Sequence, residues 1–180
     1  MIKFILNIDQ EFSKAFFLSE EKVMLRNFAA FFAHSGDSWF LEIGLFIIWL
    51  FTRGIWHKYS ALFAGAIIIQ AVTVLALKFL IKRRRPDGDW GAVYRNADPH
   101  SFPSGHAARV LMLTFLCFGL GITHIGWVVL FWGICVSFAR VSLGVHYFID
   151  IIAGWIIGIL LARAILAIQP IIYALIPFVF

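Results

Sequence analysis

The chain has 180 residues, of which 62% are hydrophobic and only 14% charged, and its mean hydropathy is +0.90. A composition this apolar excludes an ordinary soluble globular protein and indicates an integral membrane protein, which we expect to be one domain covering 1–180. The formal net charge of +5 fits either anionic lipid or phosphate partners, or basic residues that anchor the spans. Nothing in the sequence indicates nucleic acid or a protein partner.

Residues 1–37 predict an amphipathic helix at the membrane surface followed by a second short helix, and we expect no signal peptide there. In the first helix, apolar side chains recur at helical spacing opposite Asp9, Glu11 and Lys14. These apolar side chains are Phe4, Ile5, Ile8, Phe12, Phe16 and Phe17. The second predicted helix covers 20–33. Either helix could instead form a sixth, imperfect span, and the sequence leaves both alternatives open.

Five longer apolar stretches predict transmembrane helices, and they cover 38–56, 59–81, 105–120, 126–141 and 146–168. Gly154, Gly158 and Ala162 recur every four residues in the last stretch, which predicts a face for close helix packing. The connection at 82–104 is long, polar and rich in glycine and proline, as is typical of a functional loop. The sequence therefore predicts an all-α membrane bundle of five to six transmembrane helices with an N-terminal amphipathic helix.

The first charged segment follows the second predicted span. An ionisable group inside a span faces the protein interior by default, although snorkelling of Lys78 to the interface is an alternative. Arg85 lies seven residues later, so two turns of helix would place both cations on one face, where they could bind one anion. Pro86 would then end the helix.

The second charged segment begins the third span. Ser104 is a suitable N-cap, and the free amides and dipole of the following helix would attract an anion. Gly105 allows the backbone to approach a ligand closely, and His106 in the first turn could donate a proton. A capping serine with an interfacial histidine is the structural alternative.

The third charged segment joins the last two predicted spans. If the last helix begins at His146, Asp150 lies one turn further on the same face, where its carboxylate could hold the imidazole. The other ring nitrogen would then be free to act as a nucleophile or base. Arg140 could bind a phosphate in front of that nitrogen. A capping aspartate with an interfacial histidine is equally compatible with this segment alone.

The three charged segments fall on the same side of the membrane when the predicted spans are counted. Together they supply a nucleophile, a proton donor and several cations, with no pattern of metal ligands. The sequence therefore predicts one site for an anionic substrate at a membrane face.

These residues also resemble the three signature motifs of the type 2 phosphatidic acid phosphatase (PAP2) family. The first motif is Lys78 followed, after six residues, by Arg85-Pro86. The second motif is Pro103-Ser104-Gly105-His106. In the third motif, Arg140 is followed after five residues by His146 and after three more by Asp150. The resemblance covers 78–150, and 8–10 and 34–37 are more weakly similar to bacterial members. Ala139 departs from the serine that usually precedes the third-motif arginine, so a hydrogen bond to phosphate is either missing or supplied elsewhere.

The resemblance implies a lipid phosphatase that needs no metal or other cofactor. His146 would attack phosphorus to form a phosphohistidine, Asp150 would hold its other nitrogen, and His106 would protonate the departing oxygen. The phosphate-binding groups would be Lys78, Arg85, Ser104, Gly105 and Arg140. Arg83, Arg84, Arg95 and Arg109 are additional cations, and the last three are candidate contacts to a lipid headgroup.

The substrate implied by the resemblance is a membrane lipid: a polyprenyl diphosphate, a phosphatidylglycerophosphate or lipid A 1-phosphate. The family usually works on the outer face of the bacterial inner membrane, and we expect the site there. The distribution of charge argues the other way, because ten Lys or Arg residues, from Lys3 to Arg140, lie beyond or close to the span ends on the active-site side, and only Arg53, Lys58 and Arg163 lie on the other. Many of these ten cations would bind the phosphate of the substrate, so their number does not by itself indicate the cytoplasmic side.

Two other functions fit part of the pattern. A membrane anion transporter or channel could use the same buried cations as its path, and this alternative remains open. Vanadate-dependent haloperoxidases share the motifs with the PAP2 family, but they are soluble proteins, and the five apolar stretches argue against them.

Overall fold

The computed structural model describes residues 2–87, 90 and 98–180, and in this part of the chain the structure is all-helical apart from an isolated bridge between Arg84 and His100. Its helices are α1 (Ile2–Lys14), α2 (Val23–Ser35), α3 (Ser38–Phe51), α4 (Ile55–Ile81), α5 (Gly105–Gly119), α6 (Thr123–Ser142) and α7 (Phe148–Leu175). The predicted all-α fold class is confirmed.

Five of these helices are the apolar stretches predicted to span the membrane. Helices α4, α6 and α7 have 27, 20 and 28 residues and are long and apolar enough to cross a bilayer. Helices α3 and α5 are also apolar but have 14 and 15 residues, which gives them a length of only about 20 Å. The bundle therefore combines three long helices with two short ones.

Helix α5 packs against α4, α6 and α7 and forms the centre of the bundle. Its contact with α7 is backbone to backbone, because a Cβ atom at Gly154 would lie 2.6 Å from the carbonyl oxygen of Ser104, and one at Gly158 would overlap the carbonyl of Ala108. The predicted packing face of small residues is therefore present. It brings the start of α5 against the start of α7, where the Ser104 N–H donates to the Asp150 carbonyl at 3.0 Å.

The two N-terminal helices, α1 and α2, lie at the end of the bundle where α5 and α7 begin. Each has 13 residues and a length of about 20 Å, and neither is as apolar as α3 or α5, so neither has the character of the sixth span that the sequence left open. In α1 the polar residues Asp9 and Ser13 are buried against the protein, while Phe4, Ile8 and Phe12 are exposed. Because this exposed face is apolar, α1 has the character of an interfacial helix, as predicted.

The predicted span 59–81 ends where α4 ends, but the predicted continuation of this helix as far as Pro86 is wrong. Helix α4 stops at Ile81, and the next residue, Lys82, has a φ of 53° and donates its N–H to the Lys78 carbonyl. This left-handed C-cap ends the helix before Pro86 can do so. Arg85 consequently lies on an extended segment and not on the helical face of Lys78.

One predicted helix start is also wrong. Helix α7 begins at Phe148, and Tyr147 is its N-cap with extended backbone dihedral angles. The physical reason is the capping box that Asp150 forms with Tyr147, since Asp150 occupies the third helical position. His146 therefore precedes the helix, in the turn that follows α6.

Candidate active site

His146 lies in the turn between α6 and α7 and is only 1% exposed. Its backbone N–H donates to the Arg140 carbonyl at 3.2 Å, which fixes the turn to the last residues of α6. Arg85 Nη1 lies 3.3 Å from Nε2, and because a guanidinium can only donate, Nε2 is the acceptor. Nδ1 lies 3.5 Å from Asp150 Oδ2. This arrangement fits a neutral ring with its proton on the side of the carboxylate and its lone pair toward the cation.

The electrostatic surroundings of His146 favour the neutral ring. Burial lowers the pKa of His146 well below 6.5, and the nearby charges of Arg85, Arg140 and Lys78 lower it further. An imidazole that stays unprotonated in this way keeps a lone pair available for nucleophilic attack.

Asp150 has more partners than the sequence suggested. Its Oδ2 accepts from the Tyr147 backbone N–H at 3.0 Å, and its Oδ1 accepts from Arg83 Nη1 at 2.7 Å. The other arm of the same guanidinium, Arg83 Nη2, donates to Asp9 Oδ2 at 2.6 Å. Arg83 thus links the carboxylate beside His146 to helix α1, a role that sequence reasoning missed.

Helix α1 also provides hydrogen-bond acceptors for the start of α7. Asp9 Oδ1 accepts from the Ile149 N–H at 3.1 Å, and Ser13 Oγ accepts from the Phe148 N–H at 3.0 Å. The first amides of a helix have no partner within the helix, so α1 satisfies two of them and places a negative charge at the positive end of α7.

Lys78 and Arg85 converge on one carboxylate, that of Asp98. Arg85 Nη2 donates to Asp98 Oδ2 at 2.8 Å, Arg85 Nε donates to the Asp98 carbonyl at 2.7 Å, and Lys78 Nζ pairs with the same Oδ2. The convergence predicted from the sequence therefore occurs, although Arg85 reaches it from an extended segment. Asp98 was not anticipated, and its carboxylate marks an anion position close to His146.

The start of α5 is built as a helix N-terminus. Ser104 is fully buried, and its Oγ accepts from the Ala107 N–H at 3.4 Å, so the predicted N-cap is present. The Gly105 carbonyl accepts from Gln70 Nε2 of α4 at 3.2 Å. Because the Ser104 N–H donates to the Asp150 carbonyl, the positive end of the α5 dipole lies beside the start of α7.

His106 pairs with a residue outside the three motifs. Its Nε2 lies 2.8 Å from Asp37 Oδ1, in the turn between α2 and α3. Burial raises the pKa of Asp37, but the hydrogen bonds with His106 and His34 outweigh this, and the pKa lies below its usual value of 3.8. Asp37 is therefore a carboxylate at neutral pH. The sequence showed only a weak family resemblance at 34–37 and gave Asp37 no role.

The three candidate headgroup cations differ in position. Arg109 is 6% exposed, and its Nη1 donates to the Gly36 carbonyl at 2.5 Å. Its side chain is therefore buried against the α2–α3 turn and does not lie at the surface. Arg84 has a side chain that is 77% exposed and pairs with Asp87. Arg95 lies outside the described residues.

Ala139, the departure from the family pattern, faces helix α2. It is 6% exposed and belongs to an apolar cluster with Ala33, Leu143 and Val145. A small apolar side chain at this position suits the packing of α2 against α6.

The arrangement joins a neutral buried imidazole, an anion position between two cations, and a second imidazole held by its own carboxylate. These are the parts needed for nucleophilic displacement at a phosphorus atom with protonation of the leaving group. Among the described residues, no group of three or more His, Cys, Asp or Glu side chains is arranged to hold a metal ion.

Comparison with known proteins places these features in a family. Residues 58–173, more than half of the chain, match the model of the PAP2 superfamily. The bacitracin transport permease protein BcrC of Bacillus licheniformis is 29% identical over 149 residues, covering 81% of this chain and 72% of the relative.

Two solved structures share the fold. The crystal structure of a transmembrane PAP2-type phosphatidylglycerolphosphate phosphatase from Bacillus subtilis has a TM-score of 0.74 and 23% identity, covering 92% of this chain and 86% of that one. The crystal structure of Aquifex aeolicus LpxE has a TM-score of 0.67 and 24% identity, covering 90% of this chain and 94% of that one.

Proposed function

Because the chain belongs to the PAP2 superfamily, we propose that it is a metal-independent lipid phosphatase that works through a phosphohistidine at His146. Family membership confirms the resemblance seen in the motifs and the assignment to a PAP2-type phosphatase in a membrane. The lipid, the covalent intermediate and the roles of individual residues are our proposal.

The observation that carries the proposal is the anion position beside His146. The Asp98 carboxylate binds both Lys78 and Arg85, and the same Arg85 guanidinium lies 3.3 Å from His146 Nε2. A phosphate that replaced this carboxylate would bring phosphorus close to a neutral imidazole whose lone pair already points toward the cations.

In the first step His146 Nε2 attacks phosphorus, and the bond from phosphorus to the lipid oxygen breaks. His106 enters this step as the imidazolium and gives one proton to that oxygen, so it becomes neutral and the lipid leaves as a neutral alcohol or, from a diphosphate, as a protonated phosphate. A positive charge develops on the His146 ring during the attack. The Asp150 carboxylate, which lies on the Nδ1 side of the ring, stabilises that charge.

In the second step water attacks the phosphorus of the phosphohistidine, the P–N bond breaks, and inorganic phosphate leaves. His106 accepts a proton from the attacking water, which restores its starting state. In both steps the cations Lys78, Arg85 and Arg140, with the Ser104 hydroxyl and the Gly105 amide, neutralise the charge on the phosphoryl oxygens.

The substrate class follows from the position of the site at the end of a membrane bundle, where a headgroup phosphate can enter while its chains stay in the bilayer. Polyprenyl diphosphate, phosphatidylglycerophosphate and lipid A 1-phosphate are the candidates, and the name of the B. subtilis structure supports the second. We place the protein in the bacterial inner membrane with its site on the outer face. Labelling of a Glu21→Cys variant in intact cells by an impermeant thiol reagent, absent for Arg53→Cys, tests that orientation.

The experiment measures phosphate release by purified protein in detergent with excess chelator. The three lipids are undecaprenyl diphosphate, phosphatidylglycerophosphate and lipid A, each compared with His146→Ala. We expect release from one of them, a loss of at least about a thousandfold in the variant, and loss of the acid-labile phosphoprotein. His124→Ala, at an exposed histidine at the opposite end of α6, is the matched control. Release that survives His146→Ala would refute the mechanism.

The name of the B. licheniformis relative favours one alternative, a transport protein that uses the cations as an anion path. Anion flux into proteoliposomes that persists in His146→Ala, together with no phosphate release from any lipid, would support this alternative over the phosphatase.

A further inference from the structure

The proton donor of the proposed reaction has a partner that lies outside the three motif segments. His106 Nε2 is 2.8 Å from Asp37 Oδ1, and the two residues are 69 positions apart in the chain. This contact joins the start of α5 to the turn between α2 and α3. It is the counterpart of the contact between His146 and Asp150, but a different part of the chain supplies the carboxylate.

The turn that carries Asp37 is fixed at several points. The Asp37 backbone N–H donates to the His34 carbonyl at 3.0 Å, and His34 Nδ1 lies 3.2 Å from Asp37 Oδ2. The Gly36 carbonyl accepts from Arg109, which lies three residues after His106 on α5. Helix α5 therefore binds the turn twice on one face, and the carboxylate has little freedom to move away from His106.

The turn also lies directly against the imidazole. A Cβ atom at Gly36 would be 3.0 Å from His106 Cδ2 and 3.0 Å from Val136 Cγ1. Trp132 Nε1 of α6 donates to Ser35 Oγ at 2.9 Å, which attaches the turn to a second helix. The ring of His106 is thus confined by packing on one edge and by a carboxylate at Nε2.

A carboxylate bound to one nitrogen of an imidazole fixes the ring orientation and stabilises the protonated form. We propose that Asp37 is a positioning residue that holds His106 as the general acid, so that the proton given to the leaving lipid oxygen comes from Nδ1. Nδ1 is assigned this role because Nε2 is engaged by Asp37. The inference rests on the proposed function, since it gives the protonation step a second residue.

The test compares substrates that differ in their need for a general acid. A dialkyl-glycerol phosphate releases a strongly basic alkoxide, whereas p-nitrophenyl phosphate releases a stable phenolate that needs little protonation. We expect Asp37→Asn to lower kcat at least about tenfold for the lipid and less than about threefold for the aryl phosphate. A role in folding alone would lower both rates equally.

Three further variants complete the experiment. Asp37→Glu should recover part of the lipid rate, because it restores the carboxylate, and it supplies the substrate comparison if Asp37→Asn fails to fold. In a His106→Ala background, Asp37→Asn should have no further effect on the lipid rate. Glu11→Gln, at an exposed carboxylate of α1, should leave both rates unchanged.

The outcomes separate the two proposals. Equal losses for both substrates, or a full additional loss in the His106→Ala background, would overturn the role of Asp37 while leaving the phosphatase intact. Retention of both rates in His146→Ala would instead overturn the proposed function itself.

Discussion

His146 and His106 each face a carboxylate, but the two pairs are built from different kinds of contact. Asp150 lies four residues after His146, on the adjoining helix start, and both side chains are nearly fully buried. Asp37 reaches His106 across 69 residues, and the side chains of this pair are 22% and 14% exposed. The proposed nucleophile therefore sits in a local, enclosed pair, whereas the proposed proton donor sits in a tertiary, more accessible one.

This difference suits the two tasks. A nucleophile that must stay unprotonated benefits from burial among cations, because both lower its pKa. A donor that exchanges protons with a leaving group and then with water benefits from contact with solvent. The N-terminal region contributes to both pairs. Asp9 on α1 is linked to Asp150 through Arg83, and Asp37, which follows α2, contacts His106 directly.

Among the variants that leave both histidines in place, the largest effect should come from breaking the link between α1 and the enclosed pair. Arg83→Ala would leave two buried carboxylates, those of Asp9 and Asp150, without their shared cation. We expect a loss of about 3 kcal/mol in the free energy of unfolding and about a hundredfold in phosphate release.

Thermal unfolding in detergent and turnover measure the two effects of Arg83→Ala. Arg84→Ala is the stability control, since its ion pair with Asp87 is exposed and should contribute little. Equal stability of the two variants would show that the bridge through Arg83 is unimportant.

An intermediate effect concerns the protonation of His146. Its lowered pKa means that the folded protein resists binding a proton that the unfolded chain binds near pH 6.5. The acid limb of kcat/KM should therefore lie below pH 6.5, and stability should fall as the pH drops below that value.

Lys78→Gln sharpens this test, because it removes one of the charges that lower the pKa of His146. The acid limb should move to higher pH, by less than about one unit. Lys58→Gln, an exposed lysine at the other end of α4, should leave the limb in place. A shift of the limb to lower pH in Lys78→Gln would contradict the electrostatic account.

The smallest effect should come from removing the charge of the Asp98 carboxylate, which lies between Lys78 and Arg85. Asp98→Asn weakens an internal competitor for Lys78 and Arg85, so inhibition by orthovanadate should tighten by about fivefold. Inhibition constants of the parent protein and the variant measure this directly. Weaker inhibition in Asp98→Asn would mean that Asp98 mainly positions Arg85 for the phosphate.

The sequence by itself determined the membrane class, the helical architecture and the three charged segments. Hydropathy over a span, capping at Ser104 and the spacing of His146 and Asp150 are local properties, because they depend on residues within a few turns of each other. Counting spans predicted these segments on one side of the membrane, and in the structure they meet at one end of the bundle. The continuation of α4 to Pro86 and the start of α7 at His146 were wrong, because a left-handed C-cap at Lys82 ends the first helix and a capping box at Tyr147 delays the second.

Only the tertiary structure decided which distant side chains complete the site. Asp9, Asp37 and Asp98 are acidic residues in amphipathic or loop segments, and beyond the weak family similarity at 8–10 and 34–37 no local pattern gives them a partner. Their partners Arg83, His106 and Lys78 lie far away in the sequence. The close approach of α5 and α7 at Gly154 and Gly158 brings the start of α5 against Asp150. The acidic residues then pair with cations and with His106 from distant parts of the chain, because a buried charge needs a partner.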